Sequence, residues 1–389
     1  MRVAVIHEFL YVFGGAERVL KAILNIFPDA DLFCLFDVLD DDTRKLIGIK
    51  ESKTSFLQKM PQIRKRHRLY LPLMPIAIEQ FDLSEYDLII SSNASVAKGV
   101  ITGPDQLHIS YIHSPMRYAW DMQHEYLRQA NKNKGISGVL ARYLLHRMRI
   151  WDVRTAHGPD VIVANSHYIA RRIRKAYGRD AFVIYPPVRI STAQTLPEKG
   201  NFFLAASRFV PYKNIHVIAE AFAKYLPDQR LVIVGDGPDK KRIQAVSGKN
   251  VDMVGFVTDV ELADYMARAR AFIFAAEEDF GIVPVEAQAS GTPVIALGKG
   301  GVRETVIVDG YKRTGIFFDQ PESRLIADAV NAFLADEPLF HAQTCIENAA
   351  RFSEQRFDLE FRRFVLQQLD LFKNRVKTSH GPTATAMTE

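Results

Sequence analysis

Two carboxylates eight positions apart, Glu278 and Glu286, flank Gly281 and Pro284 in the run EDFGIVPVE, directly after the apolar stretch AFIFAA. A strand, a glycine turn and a proline-marked helix start are all written into that segment. Helix capping by Glu278 and packing by Glu286 would account for either carboxylate alone, but not for the combined pattern with Gly291-Thr292-Pro293 behind it. A second constellation, Ser207-Arg208 through Lys213-Asn214, follows the apolar run FFLAA and sets two fixed cations on one loop. Two cations suit a leaving diphosphate; solvated surface charge is the competing account, and a position at a strand end favours the first. A third, Gly14-Gly15-Ala16-Glu17-Arg18, lies between an apolar run and a helical pattern of Val19, Leu20, Ile23, Leu24 and Phe27. Glycines there let backbone amides approach an anion at a helix N-terminus, or simply make a tight turn.

The elements that must position these residues are legible as short apolar runs separated by helical patterns. Val3–Ile6, Leu32–Phe36, Leu88–Ile90, Ile109–Ile112 and Val161–Ala164 predict one parallel, doubly wound domain over residues 1–185. A segment rich in Pro, Ser and Thr at 186–200 reads as a linker and hinge. Runs at Phe202–Ala206, Leu231–Val234, Val251–Met253, Ala271–Ala275, Pro293–Ile295 and Gly315–Phe318 predict a second α/β domain over 201–354. The pattern then stays helical through 355–375, and 376–389 has no periodicity and is expected to be disordered. The fold class is thus α/β, with two Rossmann-like domains. Ligands of such sheets bind beyond the carboxyl ends of the strands, so the chemistry is expected where both domains point their loops into a cleft.

Composition narrows the field. With 48% hydrophobic and 24% charged residues among 389, the chain is globular and long enough for two cores. The first apolar run is too short for a signal segment, and Leu69–Ile78 is far too short to span a bilayer. Cys34 and Cys345 stand far apart without metal-ligand spacing, which points to a reduced, cytoplasmic setting. A net charge of +5 favours anionic ligands or surfaces. Basic and apolar residues mix at 59–68, ahead of LYLPLMP, and at 142–154, a combination suited to peripheral contact with an anionic membrane or to a solvated face. Aromatic platforms of the kind RNA binding uses are not evident, so nucleic acid is not an expected partner. A nicotinamide oxidoreductase is disfavoured because Gly235-Asp-Gly237-Pro-Asp-Lys240 lacks the third glycine of the dinucleotide fingerprint. A binding module without catalysis would have no need of the cations and paired glutamates in one chain.

The Glu278…Glu286 pattern, together with VIVGDGPDK, MVGFV, Gly300-Gly301 before Glu304-Thr305, and ANSHYIARRIRKAYG, resembles glycosyltransferase family 4, the retaining enzymes of GT-B fold. The resemblance runs from residue 2 to about 375. It implies two facing domains, with the late helix crossing back to the first. It makes Arg208 and Lys213 a diphosphate clamp, Glu286 the partner of the donor ribose, and Glu278 a neighbour of the donor sugar. His113, in Tyr-Ile-His-Ser-Pro, would contact the transferred sugar; catalytic roles thus fall to His113, Arg208, Lys213 and Glu278. Gly14 and Gly15 would face phosphate, and Phe256, Val257, Phe280, Gly281 and Ile282 would line the donor site. Glu304 and Thr305 are candidate phosphate contacts, although Arg303 and Asp279 stand where the family often has proline and glycine. The implied reaction retains configuration and needs no metal or other cofactor. Asp29 and Asp31 resemble the aspartate pair of a different transferase architecture, but they precede a strand instead of following one. The run FDLSEYDLIISSNASVAKGV resembles the mannosyltransferases of bacterial O-antigen and exopolysaccharide assembly. That implies GDP-mannose as donor, with a UDP-sugar as the alternative. The acceptor would be an oligosaccharide on polyprenyl diphosphate, at the inner face of the cytoplasmic membrane.

Overall fold

A computed structural model of the chain describes residues 1–132, 134–190 and 197–379. Residues 191–196 of the expected linker and the tail from 380 lie outside the described residues. There are two compact units: Met1–Pro186 with the chain from Phe357 onward, and Pro187–Arg356.

The first unit is built on seven parallel strands: β1 Val3–His7, β2 Asp31–Cys34, β3 Lys53–Thr54, β4 Leu88–Asn93, β5 Leu107–Ile112, β6 Val161–Ala164 and β7 Phe182–Val183. They lie in the order β3-β2-β1-β4-β5-β6-β7. Its helices are α1 Gly15–Ile26, α2 Asp41–Ile47, α3 Ile63–Arg66, α4 Met74–Glu79, α5 Gln123–Gln129, α6 Gly135–Thr155 and α7 His167–Tyr177. The central strands β1, β4, β5 and β6 are buried throughout, which is why they read mainly as apolar runs instead of alternating ones, with His7, Ser91, Ser92, Asn93, His108 and Ser110 as buried polar members. Helix α7 shows how local sequence sets its ends. The Ser166 side chain caps it by accepting from the Ile169 amide at 3.1 Å, and Gly178 stops it at φ +69°.

The second unit repeats the plan with β8 Phe203–Ala206, β9 Leu231–Val234, β10 Val251–Gly255, β11 Phe272–Phe274, β12 Val294–Leu297 and β13 Gly315–Phe318. Their order is β10-β9-β8-β11-β12-β13, again all parallel. The helices are α8 Ile215–Tyr225, α9 Lys240–Val246, α10 Asp259–Arg268, α11 Ile282–Ala289, α12 Val302–Thr305, α13 Ser323–Asp336 and α14 Ala342–Ala350. The last helix, α15 Glu354–Ser379, returns the chain to the first unit. Its Phe357, Phe361, Val365 and Leu369 recur every fourth residue, so they share one face, and all four are buried among β1, β4 and β5 residues.

Some expectations need correction. Residues 376–379 continue α15, so the helical pattern outlasts the point at which apolar periodicity fades. Strand β2 opens at Asp31 and ends at Cys34, because the Leu35 amide leaves the ladder to bond the Glu8 carbonyl at 2.8 Å. Pro284 is the third residue of α11, not its first.

Candidate functional site

In each sheet the strand order reverses once, between β1 and β4 and between β8 and β11, and each reversal opens a crevice at the carboxyl ends of two neighbouring strands. The chemistry-bearing side chains gather at these two places.

At the second unit's reversal, the loop after β8 forms a tight turn, Pro211–Lys213, and Asn214 adopts a left-handed conformation at φ 55°. The Asn214 side chain donates to the Ala275 carbonyl at 2.9 Å, tying this loop to the end of β11. Lys213 Nζ then donates to Glu278 Oε1. The two side chains are only 11% and 20% exposed, so this ion pair lies in a region of weak dielectric screening. The ammonium also lies 5.4 Å from the Tyr212 ring centre and 5.9 Å from that of Phe274. Arg208 is exposed, and Glu286 is half-buried on α11.

Glycines set the backbone around this pair. A Cβ on Gly300, which has φ +78°, would lie 2.3 Å from the Glu278 carbonyl oxygen, so only glycine lets the loop after β12 pass against the loop after β11. The Gly301 amide donates to that same carbonyl at 2.8 Å and locks the approach. Gly235, at φ +134°, likewise admits the GDGPD loop against Ser207, where a Cβ would meet the carbonyl oxygen at 1.9 Å. The Phe209 amide closes that contact on the Asp236 carbonyl at 2.8 Å.

At the first unit's reversal, His7 and Ser92 stand opposite each other in the β1–β4 register. His7 Nδ1 is 3.1 Å from Ser92 Oγ, and Ser92 Oγ is 2.9 Å from His113 Nε2. The other His7 nitrogen, Nε2, is 3.5 Å from Glu17 Oε1, and Glu17 Oε2 accepts from the Gly14 amide at 2.9 Å. A carboxylate only accepts, so His7 Nε2 carries a proton toward Glu17, and in the tautomer with that proton alone its Nδ1 takes the Ser92 hydroxyl hydrogen. The Ser92 oxygen then accepts from His113 Nε2–H, leaving His113 Nδ1 as an acceptor. Burial lowers His113 to about 3 and keeps the ring neutral. Asn165 Nδ2 holds the His113 carbonyl at 3.0 Å. Beside this chain, buried Glu8 takes the amides of Ala94 at 2.8 Å, Ser95, and Val96 at 2.8 Å. Burial pushes that carboxyl above the ordinary range, while the three amides oppose the shift.

The structure thus joins Lys213 to Glu278 and seats His113 in a polar chain, while several other candidates are differently employed. The Gly14 amide is taken by the Glu17 side chain, which leaves the amides of Gly15, Ala16 and Glu17 as the first-turn donors of α1. Phe280 is buried with its ring 5.5 Å from that of Phe352, so its side chain is a packing anchor. The Glu304 amide donates to the Gly301 carbonyl at 2.9 Å. Thr305 is fully buried, its hydroxyl donating to Val302 at 3.3 Å and its carbonyl accepting from Gln288 and Asn348. Short helix α12 consumes these groups, so neither Glu304 through its amide nor Thr305 through its side chain is available to phosphate. Phe256 is 86% exposed, Val257 packs on the sheet, and Gly281 caps α11 at φ +83° ahead of half-buried Ile282. Asp31 opens β2 and accepts from Tyr86 at 2.5 Å and Lys53 at 3.2 Å, at the amino edge away from the strand-end crevice. Among the described residues no group of three or more His, Cys, Asp or Glu side chains is placed to hold a metal ion. Sequence reading did not pick out His7, Ser92 or Glu8 and gave Glu17 no role; only the parallel register brings residues 7 and 92 together.

Comparison with known proteins fits this geometry. Residues 189–352 match the family described as "Glycosyl transferases group 1". An uncharacterized glycosyltransferase of Methanocaldococcus jannaschii is 28% identical over 203 residues, 50% of this chain and 55% of that protein. A GDP-mannose-dependent alpha-(1-6)-phosphatidylinositol monomannoside mannosyltransferase of Mycobacterium tuberculosis is 29% identical over 213 residues, 47% of this chain and 54% of that one. The chain thus spans about half the length of the curated relatives it matches. The crystal structure of Anabaena HepE in complex with UDP superposes with a TM-score of 0.69 over 94% of this chain and 100% of that one, at 20% identity. The chain thus has the two-unit GT-B fold, and its residues 189–352 match the group 1 glycosyl transferase family.

Proposed function

We propose that this chain is a retaining hexosyltransferase that takes mannose from GDP-mannose and passes it to a polyprenyl-diphosphate-linked oligosaccharide, in bacterial surface polysaccharide assembly. The observation that carries the reading is the shielded Lys213–Glu278 pair at the carboxyl edge of β8 and β11, inside the matched domain. Cleavage of the bond from the sugar C1 to the diphosphate oxygen builds negative charge on that oxygen. A preorganised donor lowers the barrier by roughly 3–4 kcal/mol in comparable oxyanion sites. Lys213 fills that role, with Arg208 as a second and more exposed cation, so the reaction needs no metal. Glu278 accepts from a sugar hydroxyl, Glu286 from the ribose, and His113 Nδ1 from a hydroxyl of the transferred hexose. The acceptor oxygen bonds to C1 on the face that the diphosphate leaves. The departing oxygen takes the acceptor's proton, and no protein nucleophile takes part.

GDP-mannose-dependent proteins among the relatives support the donor. A UDP-sugar donor is the second reading, favoured by the likeness to HepE bound to UDP. Thermal unfolding in EDTA with GDP, UDP, ADP or NAD separates them, since a ligand at a hundred times its Kd adds about 2.7 kcal/mol. Selective stabilisation by GDP is the expected result. A response to UDP alone overturns the mannose assignment, and a response to NAD alone overturns the transferase reading.

A further inference from the structure

Helix α6 has a solvent face that the donor chemistry does not use. At 3.6 residues per turn, Ile136, Val139, Leu140, Tyr143, Arg147, Ile150 and Arg154 lie along one side, a row about 27 Å long. The five apolar members are 90%, 61%, 57%, 57% and 52% exposed in chain order, and both arginines are exposed. The opposite side holds Gly138, Met148 and Asp152, all buried. Asp152 pairs with fully buried Lys98 and accepts from Trp120 at 2.7 Å and Tyr177 at 3.0 Å. These bonds pin the second half of α6 into the unit and fix which side faces water.

The charge on this helix is one-sided. Its only acid is buried Asp152, against Arg142, Arg147, Arg149 and Arg154, and exposed Lys132 and Lys134 precede it. An apolar row this long and this exposed marks an interaction surface. Cations interleaved with it, and no outward acid on the helix, make the matching surface negative and apolar beneath. That description fits lipid headgroups over acyl chains, with Tyr143 at the boundary between them. We propose that the outer face of α6 docks on an anionic lipid bilayer. The basic-apolar character expected at 142–154 therefore extends back to Ile136, with Ile150 as its exposed apolar member beyond Tyr143. The inference deepens the lipid-linked acceptor reading and rests on it for its purpose alone, since docking requires no donor.

The test is flotation of the full chain with vesicles of phosphatidylcholine, with and without phosphatidylglycerol, in the absence of nucleotide. Binding only to the anionic vesicles, and release by salt, is expected. Ile136→Ser with Leu140→Ser lowers partitioning on the order of tenfold or more. Each of Arg147→Gln and Arg154→Gln lowers it about fivefold. All four side chains are exposed, so these variants keep the wild-type unfolding temperature and its rise with nucleotide. Absence of anionic-vesicle binding in the wild type, or equal binding by the variants, overturns the proposal while nucleotide stabilisation still reports on the donor site. A concentration-dependent dimer in sedimentation that Ile136→Ser with Leu140→Ser dissolves, without vesicle binding, gives the face to a second copy and overturns it equally.

Discussion

The two strand-order reversals share one topology and hold opposite chemistry. At β8/β11 a lysine and a glutamate face each other with little water to screen them. At β1/β4 the chain from His113 through Ser92 and His7 to Glu17 ends in a carboxylate but presents a neutral imidazole. An ion pair supplies field, and its contribution depends on charge developing nearby. A hydrogen-bond chain supplies direction, because each partner dictates which atom of the next one donates. The same sheet order thus carries an ion pair on loops at one reversal and, at the other, a chain that runs through the strand-end residues His7 and Ser92.

The sharpest way to break this contrast is Lys213→Ala. If the second reversal acts through charge, turnover at saturating donor falls about 10²–10³-fold while nucleotide affinity changes much less. A loss confined to binding would contradict that role. Glu286→Ala is next: calorimetry should show nucleotide affinity down about tenfold or more, the worth of a hydrogen bond to a charged group. Unchanged affinity in a folded variant would remove Glu286 from the ribose.

The first reversal is probed more gently. Ser92→Ala breaks the chain at its middle and should raise KM several-fold, up to about tenfold, with kcat less affected, while Ser92→Thr restores the hydroxyl. The decisive readout is the ring nitrogen resonances of His113, where the wild type should show protonated Nε2 and bare Nδ1. The opposite tautomer in the wild type would reverse the direction assigned to the chain. A last effect, on stability and not on the reaction, concerns His108, fully buried against Ser91 and held down to about 3 by burial and then by Arg179. The unfolded chain takes up this proton near pH 6.5 and the folded one does not. Stability from this group is therefore complete above that pH and is lost at about 1.4 kcal/mol per pH unit below it. Urea unfolding at pH 7 and pH 5 should show the drop, and His108→Gln should lessen it.

Most strands of both sheets were legible because parallel strands covered on both faces are simple apolar runs. Strands β3 and β7 were not, since two residues such as Lys53–Thr54 carry no run to read. The glutamate pattern and the cationic loop were legible because each is written within a dozen residues. The Glu17–His7–Ser92–His113 chain spans four elements, and nothing in the neighbourhood of Ser92 announces His7. Glu304 shows a related limit: a motif specifies residue types, but whether an amide is already spent depends on a helix four residues long.

Helix α15 has a consequence for how the molecule is made. The buried face of the first unit is finished by Phe357, Phe361, Val365 and Leu369, residues that leave the ribosome long after Pro186. At roughly 5–20 residues per second, translation separates these events by about 10–30 s. The second unit is continuous in sequence and can close first. The part synthesised earliest is completed last, and until then its unfinished sheet is the segment of the nascent chain most in need of a chaperone.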